Sequence, residues 1–570
     1  MVTIDVNGKA LAAEPGSTIL AVLKKHNIRV PSLCNMDELR PTGSCRLCVV
    51  ELENPHKLVP SCSYPVAEGM RIHTHSPWVL ETRKTIIELL LADHPDDCLY
   101  CVRNGRCELQ QLAAEMNVRK RRFKVEQKAV RKDISSASIM RDPAKCILCG
   151  RCVRVCDEIQ TVAAIDFVGR GSSMRVTTAF DTGLNVSTCI NCGQCILACP
   201  TGALTEQSAI EQVEAALFDT ERFVVVQHAP SISVSLGEEL GLSSGNDVCG
   251  KMTAALRRLG CDRVFDTGFT ADLTIMEEAS ELASRIGNGG VLPMFTSCSP
   301  GWIKFIEHNY PEFIPNLSTC KSPQQMMGAI IKSYYAEKVN IDPRRIYSVA
   351  IMPCTAKKFE AQRPEMARRH LPDIDAVLTT RELARLLTKH GIELAALPSE
   401  VADSPLGSRS TAGKLFGATG GVMEAALRTA HFLLIGEDMA ELVLAEVRDL
   451  KGIKETKLTI AGLTIGVAVA SGLGNARRLL EEIKDGRSDL HFIEIMTCPG
   501  GCIAGGGQPL GLSRDNVVRR MQKLYDIDSE EPLRTSHGNA MVQQLYDEFL
   551  GKPLGARSHE LLHTHYHERA

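Results

Sequence analysis

The alternation of apolar and polar residues at the start of the chain predicts a small β-sheet with one helix. Two alternating runs within residues 2–13 flank the dipeptide Asn7-Gly8. This dipeptide is the strongest short hairpin signal, because both central residues of a type I′ turn need positive φ. Ser17 precedes an apolar-periodic run at 19–23. This run predicts a helix with Ser17 as its N-cap.

The following pattern predicts a second helix and then a connector. Residues 79–92 have helical periodicity, which predicts a helix. This helix would lead the chain directly to His94. Residues 112–133 are strongly basic and show no clear periodicity beyond one helix. We therefore interpret them as a connector.

From about residue 210 the pattern changes to short apolar strands that alternate with helices. Phe223–Val226 and Val349–Met352 are examples of the strands, and residues 373–390 are an example of a helical stretch. This alternation predicts an α/β domain with parallel strands. After about residue 515 the chain is polar and helical, and it ends in the histidine-rich segment HELLHTHYHE.

Length and charge narrow the class of protein. A chain of 570 residues is too long for one ordinary core, so several domains are expected. The hydrophobic fraction of 44% and the mean hydropathy of -0.05 are typical of globular protein. With 65 basic and 68 acidic residues the net charge is -3, which gives no electrostatic reason to expect nucleic acid or an anionic membrane as a partner.

The chain carries no visible targeting signal. It opens without a charged and apolar leader or twin arginine, and no apolar run approaches the roughly 20 residues of a membrane span. We therefore expect a cytoplasmic protein. In that compartment the 22 cysteines would stay reduced and are better interpreted as metal ligands than as disulfides.

The spacing Cys-x2-Cys-x2-Cys-x3-Cys occurs twice, and Pro200 follows the second copy. Three close thiolates can hold one cubane while the fourth, a helical turn away, reaches the other cubane. The predicted [4Fe–4S] ligand sets are Cys146, Cys149, Cys152 and Cys199 for one centre and Cys189, Cys192, Cys195 and Cys156 for the other. Paired zinc sites are the alternative, because Cys-x2-Cys also suits zinc.

The N-terminal hairpin and helix carry a second group of four cysteines, which are Cys34, Cys45, Cys48 and Cys62. A Cys-x2-Cys loop with one ligand on each side suits a plant-type [2Fe–2S] cluster. The spacing departs from the plant pattern of Cys-x4-Cys-x2-Cys, because ten residues separate the first two ligands. A zinc ribbon is the alternative.

A third group combines one histidine with three cysteines, namely His94, Cys98, Cys101 and Cys107. These ligands could hold a structural zinc. Beside three ferredoxin-type clusters we expect a further electron carrier instead. Cys249, Cys261 and Cys320 belong to no group and are interpreted as buried small hydrophobic residues.

Three separated segments then carry a family resemblance. They are FTSCSPGW at 295–302, MPCTAKKFE at 352–360 and EIMTCPGGC at 494–502, which runs on into GGGQP. They resemble the three signature segments of iron-only ([FeFe]) hydrogenases. The order of the cluster groups is similar to the long clostridial-type enzymes, and the whole chain is similar to catalytic subunits of NADP-reducing, multi-subunit hydrogenases.

The resemblance implies a multidomain α/β and α+β protein with five units. They are a β-grasp [2Fe–2S] ferredoxin domain (1–78), a one-histidine, three-cysteine [4Fe–4S] domain (79–125), a two-[4Fe–4S] ferredoxin domain (135–208), an α/β catalytic domain (209–512), and a helical region (513–570) similar to the small subunit of two-chain members. The implied cofactors are one [2Fe–2S] and three [4Fe–4S] accessory clusters, and an H-cluster. The H-cluster joins a [4Fe–4S] cube to a two-iron unit with CO, cyanide and a dithiolate.

By motif, Cys354 and Cys498 would hold the catalytic cube and Cys502 would bridge it to the two-iron unit. The first signature normally has two adjacent cysteines, the earlier passing protons and the later binding the cube, whereas this chain has Cys298-Ser299. Ser299 could ligate through oxygen, Cys298 could shift into the ligand position, or three cysteines could hold the cube. One residue cannot easily replace its neighbour, because successive side chains in extended chain point to opposite sides.

The resemblance also assigns residues around the two-iron unit and along a proton route. Lys357 would place a cation against a cyanide nitrogen. Further lining positions are Ala229, Pro230, Ser231, Ser322, Pro323, Gln324, Met352, Phe416, Gly417 and Met496. The proton relay would comprise Cys298, Glu278, Ser318 and Glu281. Glu278 and Glu281 lie three residues apart and share a helix face, so a solvated acidic face is the alternative interpretation.

The predicted function is reversible H2 oxidation, with electrons passing through the accessory clusters to a partner. The expected partner is a flavin-bearing, NAD(P)-linked subunit with a small ferredoxin-like subunit, or a soluble ferredoxin. Gly472-x-Gly474 is a poor dinucleotide fingerprint because Arg477 occupies the third glycine position, so a nicotinamide would bind another chain. A non-catalytic iron-sulfur subunit, or an assembly or H2-sensing protein of hydrogenase fold, is the competing interpretation.

Overall fold

The protein is described from a computed structural model, in which residues 1–123, 125, 130–460, 462–511 and 513–569 are described. The order of elements agrees with the predicted fold class, with small cluster domains followed by a large α/β domain and a helical C-terminal region. Among the described residues, none of the helices combines the length and apolar character that crossing a bilayer requires.

The N-terminal domain is a five-stranded sheet with one helix. Its elements are β1 (Val2–Val6), β2 (Lys9–Ala13), α1 (Ile19–Lys25), β3 (Val49–Leu52), β4 (Lys57–Pro60) and β5 (Arg71–His73), with the strand order β2-β1-β5-β3-β4. Asn7 and Gly8 have φ of 54° and 83°, as the predicted hairpin requires. The predicted N-cap is wrong by one residue. Thr18 caps α1 by accepting from Ala21 N, while the Ser17 hydroxyl donates to Glu14 O.

Two further small domains follow. The first contains α2 (Pro77–Ala92) and α3 (Glu108–Glu115), and the second contains β6 (Ile139–Arg141), α4 (Arg151–Arg154), β7 (Asp166–Val168), β8 (Arg175–Thr177), α5 (Gln194–Ala198) and β9 (Leu204–Glu206). The helix predicted at 79–92 thus begins slightly earlier. The predicted connector overlaps the end of α3, and its residues 124 and 126–129 lie outside the described part.

The α/β domain is built on two four-stranded sheets. One contains β10 (Phe223–His228), β11 (Arg263–Asp266), β13 (Ile346–Met352) and β16 (Ala376–Thr379), all parallel, in the order β11-β10-β13-β16. The other contains β12 (Met294–Phe295), β17 (Ile453–Ile460), β18 (Leu463–Ser471) and β19 (Phe492–Met496), in the order β12-β19-β18-β17. Only the β17–β18 pair is antiparallel in this second sheet. β14 (Ala367–Arg368) and β15 (Leu371–Pro372) form a separate small ribbon.

Helices surround these sheets. They are α6 (Ile210–Phe218), α7 (Leu236–Glu239), α8 (Cys249–Arg258), α9 (Thr267–Asn288), α10 (Pro300–Asn309), α11 (Pro323–Ile330), α12 (Ala336–Lys338), α13 (Ala356–Ala361), α14 (Thr380–Lys389), α15 (Thr411–Leu415), α16 (Gly421–Ile435) and α17 (Leu473–Lys484). The helix expected at 373–390 begins only at Thr380, because the four apolar or small residues before it form the buried strand β16. Thr379 caps α14 in a capping box with Glu382.

The C-terminal region wraps onto the α/β domain through α18 (Arg514–Glu530), α19 (Ala540–Leu545) and α20 (Ala556–Leu562). Leu545 and Leu561 share an apolar core with Phe269 of α9. Arg428 and Asp528 form an ion pair of 3.0 Å in which both side chains are fully buried. Since apolar burial and a paired charge both link it to the larger domain, this region is an integral part of the fold.

Candidate active site

The signature segments meet at one cavity beside the carboxyl ends of strands from both sheets. β10 leads into Ala229, β13 into Cys354, β12 into Cys298 and β19 into Cys498. In an α/β fold, the loops after the carboxyl ends of parallel strands are the usual place for ligands. The cavity between these loops has an empty volume of about 820 Å³.

Most of the predicted lining residues border this cavity. The bordering set is Ala229, Pro230, Ser231, Cys298, Ser299, Pro323, Gln324, Met352, Cys354, Lys357, Phe416, Gly417, Met496, Cys498 and Cys502. Ser322 is not part of the wall, and its hydroxyl donates instead to Glu360 Oε2 at 2.9 Å. Ser322 therefore contacts Glu360 outside the cavity wall.

The donor atoms of the cavity fit a bound iron-sulfur group. Burial, with a further contribution from the neighbouring Cys354, raises the pKa of the Cys502 thiol to about 12. Burial, Cys354 and Cys502 together raise the pKa of Cys498. Three neighbouring thiols that border one cavity suit coordination by a positively charged metal centre, which would remove their protons.

Two polar atoms in the cavity wall also lack partners. Ser231 Oγ and Gln324 Oε1 are buried and have no hydrogen-bond partner within the described protein. Unsatisfied buried polar groups are costly, so such atoms commonly mark the position of a bound group. Because apolar side chains surround these two atoms, they could hydrogen-bond to the polar ends of a ligand bound in the cavity.

Lys357 is held by a carboxylate that the sequence interpretation missed. Its Nζ lies 3.0 Å from Glu360 Oε2 and 3.1 Å from the Cys298 carbonyl oxygen. Glu360 also accepts from Gln324 Nε2 at 3.2 Å. The counter-charge lowers the cost of burying the ammonium group. The three-residue spacing of Lys357 and Glu360 on one helix was a usable signal.

Cys298 and Ser299 both line the cavity but face different neighbours. The Ser299 hydroxyl forms a 2.8 Å hydrogen bond with the Thr497 hydroxyl, next to Cys498. Cys298 instead lies near Glu278, and burial, with a further contribution from that carboxylate, raises the pKa of its thiol. Thr497 was not identified from the sequence, because the contact joins segments nearly 200 residues apart.

Glu278 and Glu281 are buried on α9, so their interpretation as a solvated acidic face is wrong. Burial, with a further contribution from the charge of Glu281, raises the pKa of Glu278 to about 8. The Ser318 hydroxyl donates to Glu281 Oε2 at 2.9 Å, and Arg285 Nη2 lies 2.6 Å from Glu281 Oε1. A series of polar side chains therefore leads away from the cavity, and it consists of Cys298, Glu278, Ser318 and Glu281.

The two ferredoxin-type cysteine groups lie in separate cavities of about 450 and 460 Å³. The first is bordered by Cys146, Cys149, Cys152 and Cys199, and the second by Cys156, Cys189, Cys192 and Cys195. Each cavity thus contains four thiols, including the one contributed by the other motif. Four thiols in a compact cavity of this kind suit a cubane cluster.

The second of these cavities adjoins the candidate active site. Cys192 also borders the large cavity. Thr355 Oγ1 donates to Asn191 O at 2.7 Å, and Gly506 packs so closely on the Cys192 carbonyl that a Cβ atom there would overlap it. The glycine is therefore needed for close contact between the ferredoxin-type domain and the catalytic loops.

The two remaining cysteine groups lie farther toward the N-terminus. Hydrogen bonds with Cys45 and Cys62 lower the pKa of the Cys34 thiol, and Cys62 likewise interacts with Cys48, so these four side chains are gathered together. All four are buried.

In the next domain, Cys98 is exposed and Cys107 is buried. His94 is also buried, and its Nδ1 has no partner among the described protein atoms. An orphaned imidazole nitrogen next to grouped cysteines fits a metal ligand. Burial lowers the pKa of His94, which favours the neutral form that binds metal.

The weak glycine fingerprint at 472–474 packs against protein. A Cβ on Gly474 would lie 3.0 Å from the Ile159 carbonyl oxygen, and Arg477 hydrogen-bonds to Thr161. This turn therefore forms a contact with the ferredoxin-type domain and leaves no space for a pyrophosphate.

Five known families match consecutive parts of the chain. Residues 1–77 match a 2Fe-2S iron-sulfur cluster binding domain, 83–122 the NADH-ubiquinone oxidoreductase-G iron-sulfur binding region, 145–203 a 4Fe-4S dicluster domain, 222–506 the C-terminal domain of the iron only hydrogenase large subunit, and 514–569 the iron hydrogenase small subunit.

Relatives resemble the chain over its full length. It is 48% identical to the NADP-reducing hydrogenase subunit HndD of Solidesulfovibrio fructosivorans, covering 100% of this chain and 99% of the relative. It is 40% identical to iron hydrogenase 1 of Clostridium pasteurianum, covering 99% and 100%. An apo [FeFe]-hydrogenase variant from Chlamydomonas reinhardtii superposes with a TM-score of 0.58 and 43% identity, covering 64% of this chain and 99% of that structure.

Proposed function

The chain belongs to the iron-only hydrogenase family, and from that premise we propose that it catalyses reversible H2 oxidation, H2 ⇌ 2H+ + 2e−. The observation that carries the proposal is the convergence at one cavity of three signature cysteines, Lys357 and the wall residue Cys192. Such a cavity would join a cofactor site to an electron carrier on one side, and Cys298 would begin a polar route on another.

The residues that we propose to hold the H-cluster are thiols and unpaired polar atoms that border the cavity. Cys354, Cys498 and Cys502 would hold the cube, with Cys502 as the bridge, while the orphaned Ser231 Oγ and Gln324 Oε1 would satisfy polar ends of the two-iron unit. When bound, the unit supplies an open iron position and an amine base, the groups at which H2 is split or formed.

This chain's own side chains would then exclude water and move protons. The side chains of Met352, Phe416 and Met496 form an apolar part of the cavity wall. This wall would strengthen an interaction between Lys357 and a cyanide nitrogen of the bound group. Protons would pass between the cavity and the surface through Cys298, Glu278, Ser318 and Glu281. The raised pKa of Glu278 suits this task, because a group that changes protonation near neutral pH transfers protons most effectively.

Electrons would leave the cavity one at a time through the cluster beside Cys192. We propose one [2Fe–2S] and three [4Fe–4S] accessory clusters, with His94 as the imidazole ligand of the outermost cubane. The name of the NADP-reducing relative supports a flavin-bearing, NAD(P)-linked partner subunit. A soluble ferredoxin is the other candidate acceptor. We also propose that the domains have the boundaries predicted from the sequence and that the protein is cytoplasmic.

For the fourth cube position, we propose ligation by the Ser299 oxygen while Cys298 handles protons. The supporting contacts are the Ser299–Thr497 hydrogen bond beside Cys498 and the closeness of Cys298 to Glu278. Protein produced without maturation factors, which would carry the cube alone, allows a test. Ser299→Ala should lose cube iron and its electron paramagnetic resonance signal, whereas Ser299→Cys should keep both. An unchanged cube in Ser299→Ala would contradict oxygen ligation.

The activity test uses anaerobic, matured protein with a low-potential dye. The proposal expects H2 evolution from reduced dye and H2 uptake with oxidised dye. Protein that carries the complete cofactor and does neither would instead support the sensor or assembly interpretation. Protein made without maturation factors should be inactive, because side chains alone cannot make CO or cyanide.

A further inference from the structure

The histidine-rich C-terminal segment reaches the outer end of the predicted proton relay. Lys321 N donates to Leu562 O at 2.7 Å, and Thr564 N donates to Thr319 O at 2.8 Å. These bonds pair residues 562–564 with 319–321 and place His563 directly opposite Cys320. His563 is buried, so its position is determined by both backbone pairing and packing.

The His563 ring connects two acids of α9. Its Nδ1 lies 2.8 Å from the Thr319 hydroxyl, whose oxygen is 3.5 Å from Glu281 Oε2. Its Nε2 lies 3.2 Å from Glu277 Oε2. A continuous series of groups therefore runs from Glu281 through a hydroxyl to an imidazole that has a carboxylate behind it.

Glu281 has two neighbours on its outer side, and they differ in chemistry. Arg285 is a permanent cation, and its guanidinium cannot release a proton in a protein. The Thr319 hydroxyl can accept one proton while donating another, and the imidazole of His563 can hold the proton that it receives. Of these two described neighbours, only Thr319 can therefore carry a proton away from Glu281.

Glu277 is arranged to balance a positive imidazole. It is completely buried, and it accepts from Tyr546 Oη at 2.5 Å and from Leu554 N at 2.8 Å. Although burial works in the opposite direction, hydrogen bonds from His563 and from Ser558 lower the pKa of Glu277. A carboxylate held in its charged form beside His563 would stabilise the imidazolium ion that forms when a proton arrives.

An exposed histidine covers one face of the ring. His563 stacks on His559 with ring centroids 4.6 Å apart and an interplanar angle of 5°, and His559 is exposed. One face of the buried imidazole is therefore covered by an exposed side chain. The titratable and charged groups around His563 are Glu277, Glu278, Glu281, Arg285, Cys320, Tyr546, His559 and His565.

We propose that His563 is a proton-relay residue that takes protons from Glu281 through the Thr319 hydroxyl and releases them to solvent beside His559. In the H2-oxidation direction, the Glu281 carboxyl proton passes to Thr319 Oγ1 as the hydroxyl proton passes to His563 Nδ1. Glu281 becomes a carboxylate and His563 an imidazolium paired with Glu277. The ring returns to its neutral form when its Nε2–H bond breaks and that proton passes to water that enters beside His559. This inference rests on the proposed hydrogenase function, and H2 production would use the same steps in reverse.

The test measures D2/H+ exchange by matured holoenzyme, because this reaction needs proton transfer to the cavity but no external electron partner. His563→Gln keeps a polar side chain that cannot be protonated, and Thr319→Val removes the hydroxyl at similar size. Each variant should slow exchange by about 10-fold or more, within reach of the ~10²-fold loss typical of a positioned acid–base group. The double variant should be no slower than the slower single one, since both act on one route.

The controls separate proton transfer from structure. Thr319→Ser should restore most of the rate lost in Thr319→Val, and His567→Gln, which changes an exposed histidine outside this route, should behave as the wild type. His563→Gln should also lose the acidic limb of the pH profile for H2 oxidation, while infrared bands and thermal stability are kept. A purely structural role would change stability without changing that limb.

Wild-type exchange and an unchanged pH profile in His563→Gln would overturn the inference. If that variant does not fold, the Thr319→Val and Thr319→Ser pair decides the question, and equal rates in the pair would also overturn it. Absence of exchange in the wild type would be a failure of the proposed function instead, so the two outcomes are distinguishable.

Discussion

The cluster domains and the catalytic domain build their sites in different ways. Each ferredoxin-type cavity takes its cysteines from two short motifs within residues 146–199. The catalytic cavity takes its cysteines from segments at 298, 354, 498 and 502, on loops that follow strands of two sheets. An accessory site is therefore largely local in sequence, whereas the catalytic site exists only when the complete domain has folded.

The two kinds of site should therefore respond differently to the loss of a single ligand. Loss of one accessory ligand should remove one electron carrier and leave the remaining domains intact. Loss of a catalytic ligand should remove the chemistry itself, because the cavity, Lys357 and the proposed relay would serve only the group held there. The following predictions test this contrast, beginning with the largest expected effect.

Cys502→Ala should abolish H2 turnover completely. The residue is proposed to bridge the cube and the two-iron unit, so its removal should prevent attachment of that unit while the accessory clusters are retained. Dye-linked H2 evolution and infrared spectra of matured protein provide the measurement. Cys62→Ala is the matched change in the N-terminal domain, and it should lose the [2Fe–2S] signal but retain dye-linked evolution. Similar losses in both variants would remove the contrast.

Cys298→Ala should reduce turnover by at least the roughly 10²-fold that is typical of losing a positioned acid–base group. Iron content and infrared bands should remain intact, because Cys298 is proposed to pass protons. If Cys298 is the cube ligand, the same variant will instead lose cluster iron. Full activity with intact clusters would show that protons leave by another path.

The stability of Glu278→Gln relative to the wild type should increase as the pH rises. The native pKa of about 8 lies above the ordinary 4.5, so the folded state holds the proton more tightly between these values and wild-type stability falls as pH rises through that window. A shift of this size corresponds to a difference on the order of 4 kcal/mol by pH 8. Denaturation midpoints at pH 5 and pH 8 test this expectation, and a constant difference between variant and wild type would contradict it.

His94→Ala should produce the smallest effect on H2 chemistry with a dye. Electron transfer to a physiological partner should slow, because the outermost cubane would lose its imidazole ligand. A small dye that reaches the inner clusters should leave H2 evolution unchanged. Equal loss in the two assays would indicate that His94 has a structural role.

The same contrast explains how much could be predicted from the sequence. The N-terminal hairpin and the α/β character of the larger domain were predictable, since local periodicity and turn chemistry determine them. The grouping of the accessory cysteines followed from spacing, although their roles as ligands remain predictions. Errors occurred at boundaries, with Thr18 in place of Ser17 as the cap and a buried strand before Thr380.

What the sequence could not provide depends on long-range contacts. The hydrogen bond between Ser299 and Thr497 and the link between His563 and Thr319 join segments about 200 or more residues apart. No local pattern signals such pairs. Glu360 is an exception, because its position three residues after Lys357 made an ion pair foreseeable.

Infrared spectroscopy of anaerobic, matured protein is the decisive experiment for the two-iron unit, because protein has no bands in the CO and cyanide stretching region. We expect CO and cyanide bands in the wild type that shift when H2 replaces an inert atmosphere, together with H2 evolution from reduced dye. The bands should be absent from Cys502→Ala. Wild-type protein that is fully matured but has no such bands and evolves no H2 would contradict the account.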